Sequence, residues 1–418
     1  MYKPSIFNIP FGEGGLYNSY TGAIIKLPNT IEECITSNDS LELLYKQGFI
    51  VDAKMNELNR LAVRRKTAIY SKYHQVLKYV IALTNDCQAH CTYCFEHGIN
   101  RNHFMNENTV EMVIKYIKGQ AKENHAECIR ITYFGGEPLL NIKAIERIGT
   151  ELKEFCEKEN IRLICNIITN GIGLTPDVAE MLKDIHVSFA QITLDGTREA
   201  YKAAKGIDAY DTVISNIKSV VDILPIDIRL NVTRNNQKDI IDVIEELLVE
   251  HNLVGRVQMT LAQVVDYVGC EFNSTLCLDA VEYANFVRGI YLKEGLKKEG
   301  NFKRIVLLPK VLRTFCGMEN CTQYVIGPDG ELYKCEHSVG KPDEIVGDVY
   351  TGSYYSDMEM DFYSEIPEKC MQEACKFLPM CLGGCANERL HKHHIRDCEQ
   401  VKEKHLLLLK TYLELVEK

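Results

Sequence analysis

Leu77-Lys-Tyr-Val-Ile-Ala-Leu-Thr84 is a nearly unbroken β-rich run, and almost at once it meets Cys87-Gln-Ala-His-Cys91-Thr-Tyr-Cys94. A strand that empties into a loop of three cysteines puts those thiols at its C-terminal end, where parallel α/β folds keep their chemistry. The run has successors. Ile129–Gly135, Ile161–Thr169, Val187–Asp195, Asp227–Thr233 and Val257–Val265 are rich in Val, Ile and Leu with little polar alternation. Parallel strands buried on both faces read this way. Helical stretches lie between them. Ile142, Ile145, Ile148, Leu152 and Cys156 keep one apolar face, and Val213, Ile217 and Val220 repeat the pattern. Thr175-Pro176 reads as an N-cap followed by proline at the first helical position. Six β-α units in succession predict a parallel α/β barrel or an open sheet.

The spacing in the loop is C-x3-C-x2-C. Three thiolates can hold three irons of a four-iron cubane, leaving the fourth without a protein ligand. An open position on a metal site generally receives a substrate or water. The competing reading is three chance cysteines or part of a zinc ribbon. His90 inside the loop and His97 after it read as surface residues.

The chain has 418 residues, enough for two to four domains at about 150 residues each. It is 46% hydrophobic and 25% charged, as soluble globular proteins are, with no biased tract or fixed repeat. No run approaches the roughly 18 apolar residues of a membrane span. The start, Met-Tyr-Lys-Pro-Ser-Ile-Phe, lacks a secretory pattern, so the expected location is the cytoplasm. A net charge of −10 argues against a general nucleic-acid binder. Yet there are 17 cysteines. In a reducing compartment such a count points to metal or redox chemistry rather than disulfides. Cys34, Cys128, Cys156, Cys165, Cys270 and Cys277 are isolated and read as small buried hydrophobes.

A second cysteine group lies near the C-terminus: Cys316, Cys321, Cys335, Cys370, Cys375, Cys381, Cys385 and Cys398. Eight thiolates complete two four-ligand sites, which chemistry alone allows to be two zincs or two four-iron clusters. Before the first β-α unit, Ile6–Phe11, Leu16–Ser19 and Ala23–Leu27 read as short strands. A helix Leu41–Gln47 ends at Gly48, a brief strand Phe49–Val51 follows, and Asn56–Tyr70 reads as an amphipathic helix. A small α+β module of this kind suits a peptide-docking wing or a simple cap. His391, His393 and His394, with Arg389 and Lys392, read as an exposed basic loop.

The C-x3-C-x-aromatic-C loop after the first strand resembles the signature of the radical S-adenosylmethionine superfamily. The resemblance implies that Cys87, Cys91 and Cys94 hold a cluster whose open iron binds S-adenosylmethionine, with Tyr93 near the adenine. Gly135-Gly136-Glu137-Pro138 resembles the segment that meets the methionine amino group. Glycines there allow close approach, and the acid complements an ammonium. Thr169-Asn170 and Thr193-Leu194-Asp195 resemble segments that reach the ribose and carboxylate. The C-terminal cysteines resemble the SPASM extension of peptide-modifying radical enzymes. By that resemblance Cys316, Cys321, Cys335 and Cys385 hold an inner auxiliary cluster, and Cys370, Cys375, Cys381 and Cys398 an outer one. The Cys370–Cys375 gap departs from the family, with four intervening residues instead of two. Glu336 follows Cys335 where sulfatase maturases carry an aspartate base, which implies a catalytic role.

The expected fold is therefore a partial (β/α)6 TIM-like barrel at 77–300, with a winged-helix-like α+β module at 1–76 and a cysteine-rich SPASM domain at 301–418. The expected cofactors are three [4Fe–4S] clusters and S-adenosylmethionine. The expected activity is radical modification of a ribosomally synthesised precursor peptide, giving a thioether or C–C cross-link. The partners would be a leader-bearing precursor and a low-potential donor, flavodoxin or ferredoxin, with no nucleic acid and no membrane. The alternatives are a sulfatase-maturase-like formylglycine-generating enzyme and a non-catalytic multi-cluster electron carrier.

Overall fold

The structure, a computed structural model, describes residues 1–37, 40–70, 75–96, 99, 101–265, 274–293, 307–363, 365–392 and 397–416. His97, Cys270, His393 and His394 lie outside the described residues.

The centre is a parallel sheet of β6 (Val76–Ala82), β7 (Cys128–Phe134), β8 (Arg162–Thr169), β9 (Val187–Leu194), β10 (Ile226–Val232) and β11 (Val257–Gln263), after five N-terminal strands given below. Each strand pairs with the next in sequence. Helices return the chain between them: α4 (Glu107–Glu123), α5 (Ile142–Glu159), α6 (Pro176–Asp184), α7 (Arg198–Lys205), α8 (Tyr210–Val220) and α9 (Gln237–Glu245). This is a TIM-like α/β architecture. Thr175 caps α6 by accepting from the Val178 amide, and Pro176 occupies the first turn. Leu77, Tyr79 and Ile81 of β6 face the helices, packing with Val110 and Val113 of α4 and Ile145 and Ile148 of α5. Val80 and Ala82 face the other way, against Phe134, Val325 and Tyr333. From Tyr79 onward both faces are apolar because both are covered. Each fully buried side chain of this size contributes about 1.5–3 kcal/mol.

The sheet does not stop at the barrel. Four C-terminal strands extend it beyond β6: β12 (Gln323–Ile326), β13 (Glu331–Tyr333), β14 (Gly347–Asp348) and β15 (Gly352–Ser353). β12 pairs in parallel with β6, Gln323 opposite Lys78, and the rest are antiparallel.

At the N-terminus β2 (Asn8–Phe11), β3 (Gly15–Asn18) and β4 (Ile24–Lys26) form a three-stranded antiparallel sheet. β1 (Tyr2–Pro4) pairs with β5 (Ile50–Asp52), flanking α1 (Ile31–Ser37) and α2 (Leu41–Gln47). β1 and α1 are additions to the sequence reading. The module rests chiefly on the C-terminal cysteine region. Ile9, Phe11 and Tyr17 pack with Phe377, Met380 and Leu409, and Phe7 packs with Leu378 and Leu382. The Ser19 hydroxyl donates to the Lys376 carbonyl, and the Tyr17 hydroxyl donates to that of Pro309.

The helix α3 (Glu57–Tyr70) joins these parts. At its start the buried Glu57 carboxylate accepts from the Ser5 hydroxyl and the Ile6 amide. At its end the Ile69 carbonyl accepts from the Cys321 amide, and the Ala68 carbonyl from the Asn320 side chain. Between these, Arg65 reaches Glu319 at 3.4 Å, both fully enclosed.

Candidate functional site

A cavity of about 270 Å³ opens at the C-terminal ends of the strands. Cys87, Cys91 and Cys94 all line it, with Tyr93, Gly135, Gly136, Thr169, Asn170 and Thr193. The loop carrying the cysteines is held at several points. The Cys87 amide donates to Asp86 Oδ1, and Arg101 donates to the Cys87 and Ala89 carbonyls. The His90 and Thr92 amides donate to the Lys205 and Ala204 carbonyls at the end of α7. Burial pushes the thiols up, to about 11 at Cys87 and about 12 at Cys94, with Cys91 also raised. The Asn170 amide nitrogen lies 3.8 Å from the Cys87 sulfur. Among the described residues no three His, Cys, Asp or Glu side chains converge closely enough to bind a single metal ion.

The glycines are explained by contact with the cysteine loop's own approach. A Cβ on Gly135, which has φ +130°, would stand 2.4 Å from the Thr84 carbonyl oxygen. One on Gly136 would meet that of Asp86 at the same distance. The Gly136 and Glu137 amides donate to those two carbonyls. The double glycine thus lets one strand end lie directly on the next.

Glu137 differs from the expectation of an ammonium partner. Its carboxylate is fully buried and does not line the cavity. It accepts from the Thr169 hydroxyl at 2.6 Å, the Asn170 amide at 2.7 Å and the Leu139 amide at 3.1 Å. Two donors from the end of β8 and one from the turn that follows Glu137 claim it. Asp195 is likewise turned inward, away from the cavity wall. Its Oδ2 accepts from the Tyr93 hydroxyl at 2.7 Å and pairs with the Lys205 ammonium at 3.1 Å. Tyr93 is therefore fixed by its hydroxyl, which also accepts from Asn231 and Lys205.

Glu336 does line the cavity, beside His337. Burial raises its pKa, and Arg229 opposes the rise. The sequence reading missed four residues on the same wall: Glu96, Lys205, Arg229 and Asn231. Glu96 is 9% exposed, and burial pushes it up to about 7 with Glu336 adding to the rise. A signal for three of them existed. Lys205 lies four residues after the buried Tyr201 on α7, a charge on an apolar stripe. Arg229 and Asn231 give β10 a period-two polar alternation.

The C-terminal thiols fall into two neighbourhoods. Cys335 feels the charges of Cys385 and Cys316, and with Cys321 it packs against Tyr363. Cys370 feels Cys381, Cys398 and Cys375, and burial pushes it up to about 11. The long Cys370–Cys375 gap is taken up by a short helix, Glu368–Gln372, and a left-handed Ala374. Arg389 is a correction. It is not exposed: it donates to the Gly384 carbonyl and lies 4.0 Å from the buried Glu319. His391 is 3.5 Å from Glu344. Of the isolated cysteines Cys34, Cys156 and Cys165 are buried, whereas Cys128 and Cys277 are only half-buried.

Comparison with known proteins places this geometry. The chain is 27% identical over 198 residues to the radical SAM cyclopropyl synthase TigE of Paramaledivibacter caminithermalis. That match spans 44% of this chain and only 40% of TigE. It is 26% identical over 291 residues to a probable GTP 3',8-cyclase of Saccharolobus islandicus, covering 67% of this chain and 88% of that protein. Among solved structures, anSMEcpe with bound AdoMet and the Cp18Cys peptide aligns with a TM-score of 0.63 at 17% identity, over 82% of this chain and 99% of that one. Streptococcus suis SuiB bound to the precursor peptide SuiA aligns at 0.57 and 17% identity, over 95% and 99%. Both likenesses are of fold. Residues 81–247 match the family model of the Radical SAM superfamily, and the chain thus carries a radical SAM domain.

Proposed function

We propose that the chain is a radical enzyme that modifies a ribosomally made precursor peptide, installing a thioether or carbon–carbon cross-link. The observation that carries the reading is the convergence of Cys87, Cys91 and Cys94 on one cavity with Gly135, Gly136, Thr169 and Asn170. The donor set fits a four-iron cluster with one open iron: three thiols of one loop, the Asn170 amide facing Cys87, and Lys205 near Cys91. To ligate iron, these buried thiols would release their protons to solvent or a neighbouring base. Cys87, Cys91 and Cys94 would hold such a cluster, which would offer its open iron to S-adenosylmethionine and supply an electron for reductive cleavage of the sulfonium.

The chain's own residues do the rest. Tyr93, Thr169, Asn170 and Thr193 shape the space for the cofactor, while Glu137 and Asp195 hold them from behind. Lys205 offers a buried cation to a carboxylate. In this reading Glu336 takes a proton from substrate, and its position on the cavity lining supports that role. In this reading Cys316, Cys321, Cys335 and Cys385 hold one auxiliary cluster, and Cys370, Cys375, Cys381 and Cys398 a second. Residues 1–76 recognise a leader, 77–300 form the barrel and 301–418 carry the auxiliary clusters. A cytoplasmic flavodoxin or ferredoxin supplies electrons. SuiB was solved with a precursor peptide and anSMEcpe with a peptide, which supports a peptide substrate here.

The test is anaerobic reconstitution, reduction with dithionite and measurement of 5′-deoxyadenosine, followed by mass analysis of a precursor encoded beside the gene. Loss of two hydrogens from that peptide is the expected result. The position of Glu336, directly after Cys335 and on the cavity lining, supports a second reading, a formylglycine-generating maturase, and an aldehyde product would establish it instead. Absence of 5′-deoxyadenosine would leave only an electron carrier.

A further inference from the structure

A second opening lies at the other end of the same sheet. In the strand register Lys78 of β6 stands between Arg130 of β7 and Gln323 of β12. Laterally paired residues share a face, so the three form one row near the N-terminal strand ends. Arg64 of α3 and Arg313 close the row from outside, and together they line a cleft of about 730 Å³. That is within the roughly 300–1,000 Å³ of ligand sites. Four cations line it and no carboxylate does among the described residues. The side chains of Lys78, Arg130 and Arg313 have no ion-pair or hydrogen-bond partner among those residues.

Two features are unfavourable as they stand. Like charges sit directly opposite each other at Lys78 and Arg130. Gln323 is only 5% exposed, yet its Oε1 lacks a donor. From this we infer that the cleft binds an acidic peptide segment, and, given the peptide-modifying function proposed above, that the segment belongs to the precursor. The backbone N–H groups of a peptide answer Gln323, and a run of carboxylates along that peptide answers the row of cations. The cleft also begins on α3, the helix that leads out of the N-terminal module, so a chain engaged there can continue into it. In a protein of net charge −10 the cleft is a basic island, and an acidic segment is steered to it.

The test uses dye-labelled hexaglutamate and the reconstituted full chain, read by fluorescence anisotropy. Saturable binding is expected, weakening with added salt. Lys78→Gln and Arg130→Gln should each lower affinity about tenfold, the loss of one charge-assisted contact. Arg256→Gln, whose cation already pairs with Asp222, should leave it unchanged. Circular dichroism and iron content check each variant's fold. Removing one of two adjacent like charges should preserve both. Binding that neither cleft variant weakens would overturn the inference, and so would displacement by pyrophosphate at lower concentration than by unlabelled hexaglutamate. Production of 5′-deoxyadenosine is followed in parallel. If it persists while hexaglutamate fails to bind, the cleft assignment falls and the radical reading stands. If hexaglutamate binds and no 5′-deoxyadenosine forms, the cleft stands and the radical reading falls.

Discussion

Arg65→Met tests whether the Arg65–Glu319 pair holds the N-terminal module to the cysteine region. Methionine keeps most of the arginine stem and removes the guanidinium. Arg65 is 3% exposed and Glu319 not at all, so the charge left behind has no access to water. Arg389 lies 4.0 Å from Glu319, and the Phe315 amide still donates to it at 3.0 Å. Breaking a buried pair from one side costs about 3–5 kcal/mol, and with Arg389 still nearby the lower end, about 3 kcal/mol, applies here. That is a large share of a total stability of about 5–15 kcal/mol. The assay is anaerobic guanidinium denaturation of the reconstituted chain, followed by tyrosine fluorescence and by iron–sulfur absorbance. Arg65→Met should lower the midpoint sharply in both signals. The double variant Arg65→Met/Glu319→Leu should recover most of the loss, because replacing both charges with apolar groups is often nearly neutral. A shift no larger than about 0.5 kcal/mol, as for an ordinary surface substitution, would refute the reasoning. So would a double variant no better than the single.

Three further outcomes are expected. Reconstituted protein should carry about twelve irons, and replacing Cys87, Cys91 and Cys94 together with alanine should leave about eight and no 5′-deoxyadenosine; two zincs and four irons by metal analysis would sink the auxiliary-cluster assignment. Glu137→Gln should keep the iron count but weaken S-adenosylmethionine binding several-fold, because an amide cannot accept from Thr169, Asn170 and Leu139 as a carboxylate does; unchanged affinity by calorimetry would show that the Thr169–Asn170 turn needs no brace. Burial lowers His405 from 6.5 to about 4, so the folded chain keeps it neutral while the unfolded chain protonates it. Stability contributed by the neutral ring is therefore present above about pH 6.5 and lost as pH falls toward 4, at up to about 1.4 kcal/mol per unit. His405→Gln should flatten that slope, and a variant with the parent's slope would contradict the assignment.

The six barrel strands were legible because most of both faces is buried, which leaves a Val/Ile/Leu-rich signal broken only in places, as by Asp227, Arg229 and Asn231 in β10. The cysteine cavity was legible because its three thiols come from one short loop. What sequence could not reveal was non-local. Tyr2–Pro4 is a strand only because Ile50–Asp52 lies beside it. Gln323–Ile326 reads as part of a separate C-terminal unit until its register with Lys78–Ile81 continues the barrel sheet. The orientation of Glu137 depends on donors that arrive from a strand end about thirty residues later. Spacing locates a residue in a motif. It does not say which neighbour claims its side chain.

Bonds at both ends of α3 bear on how such chains can be recombined. Its first turn is bonded to Ser5 and Ile6, and its last turn to Asn320 and Cys321. A chimera joined at residue 76 would import a foreign helix against a native 315–321 loop, leaving Glu319 without its matched arginine. Exchange of N-terminal modules between relatives therefore has to carry the helix and that loop as one inherited unit, although some 250 residues of chain separate them.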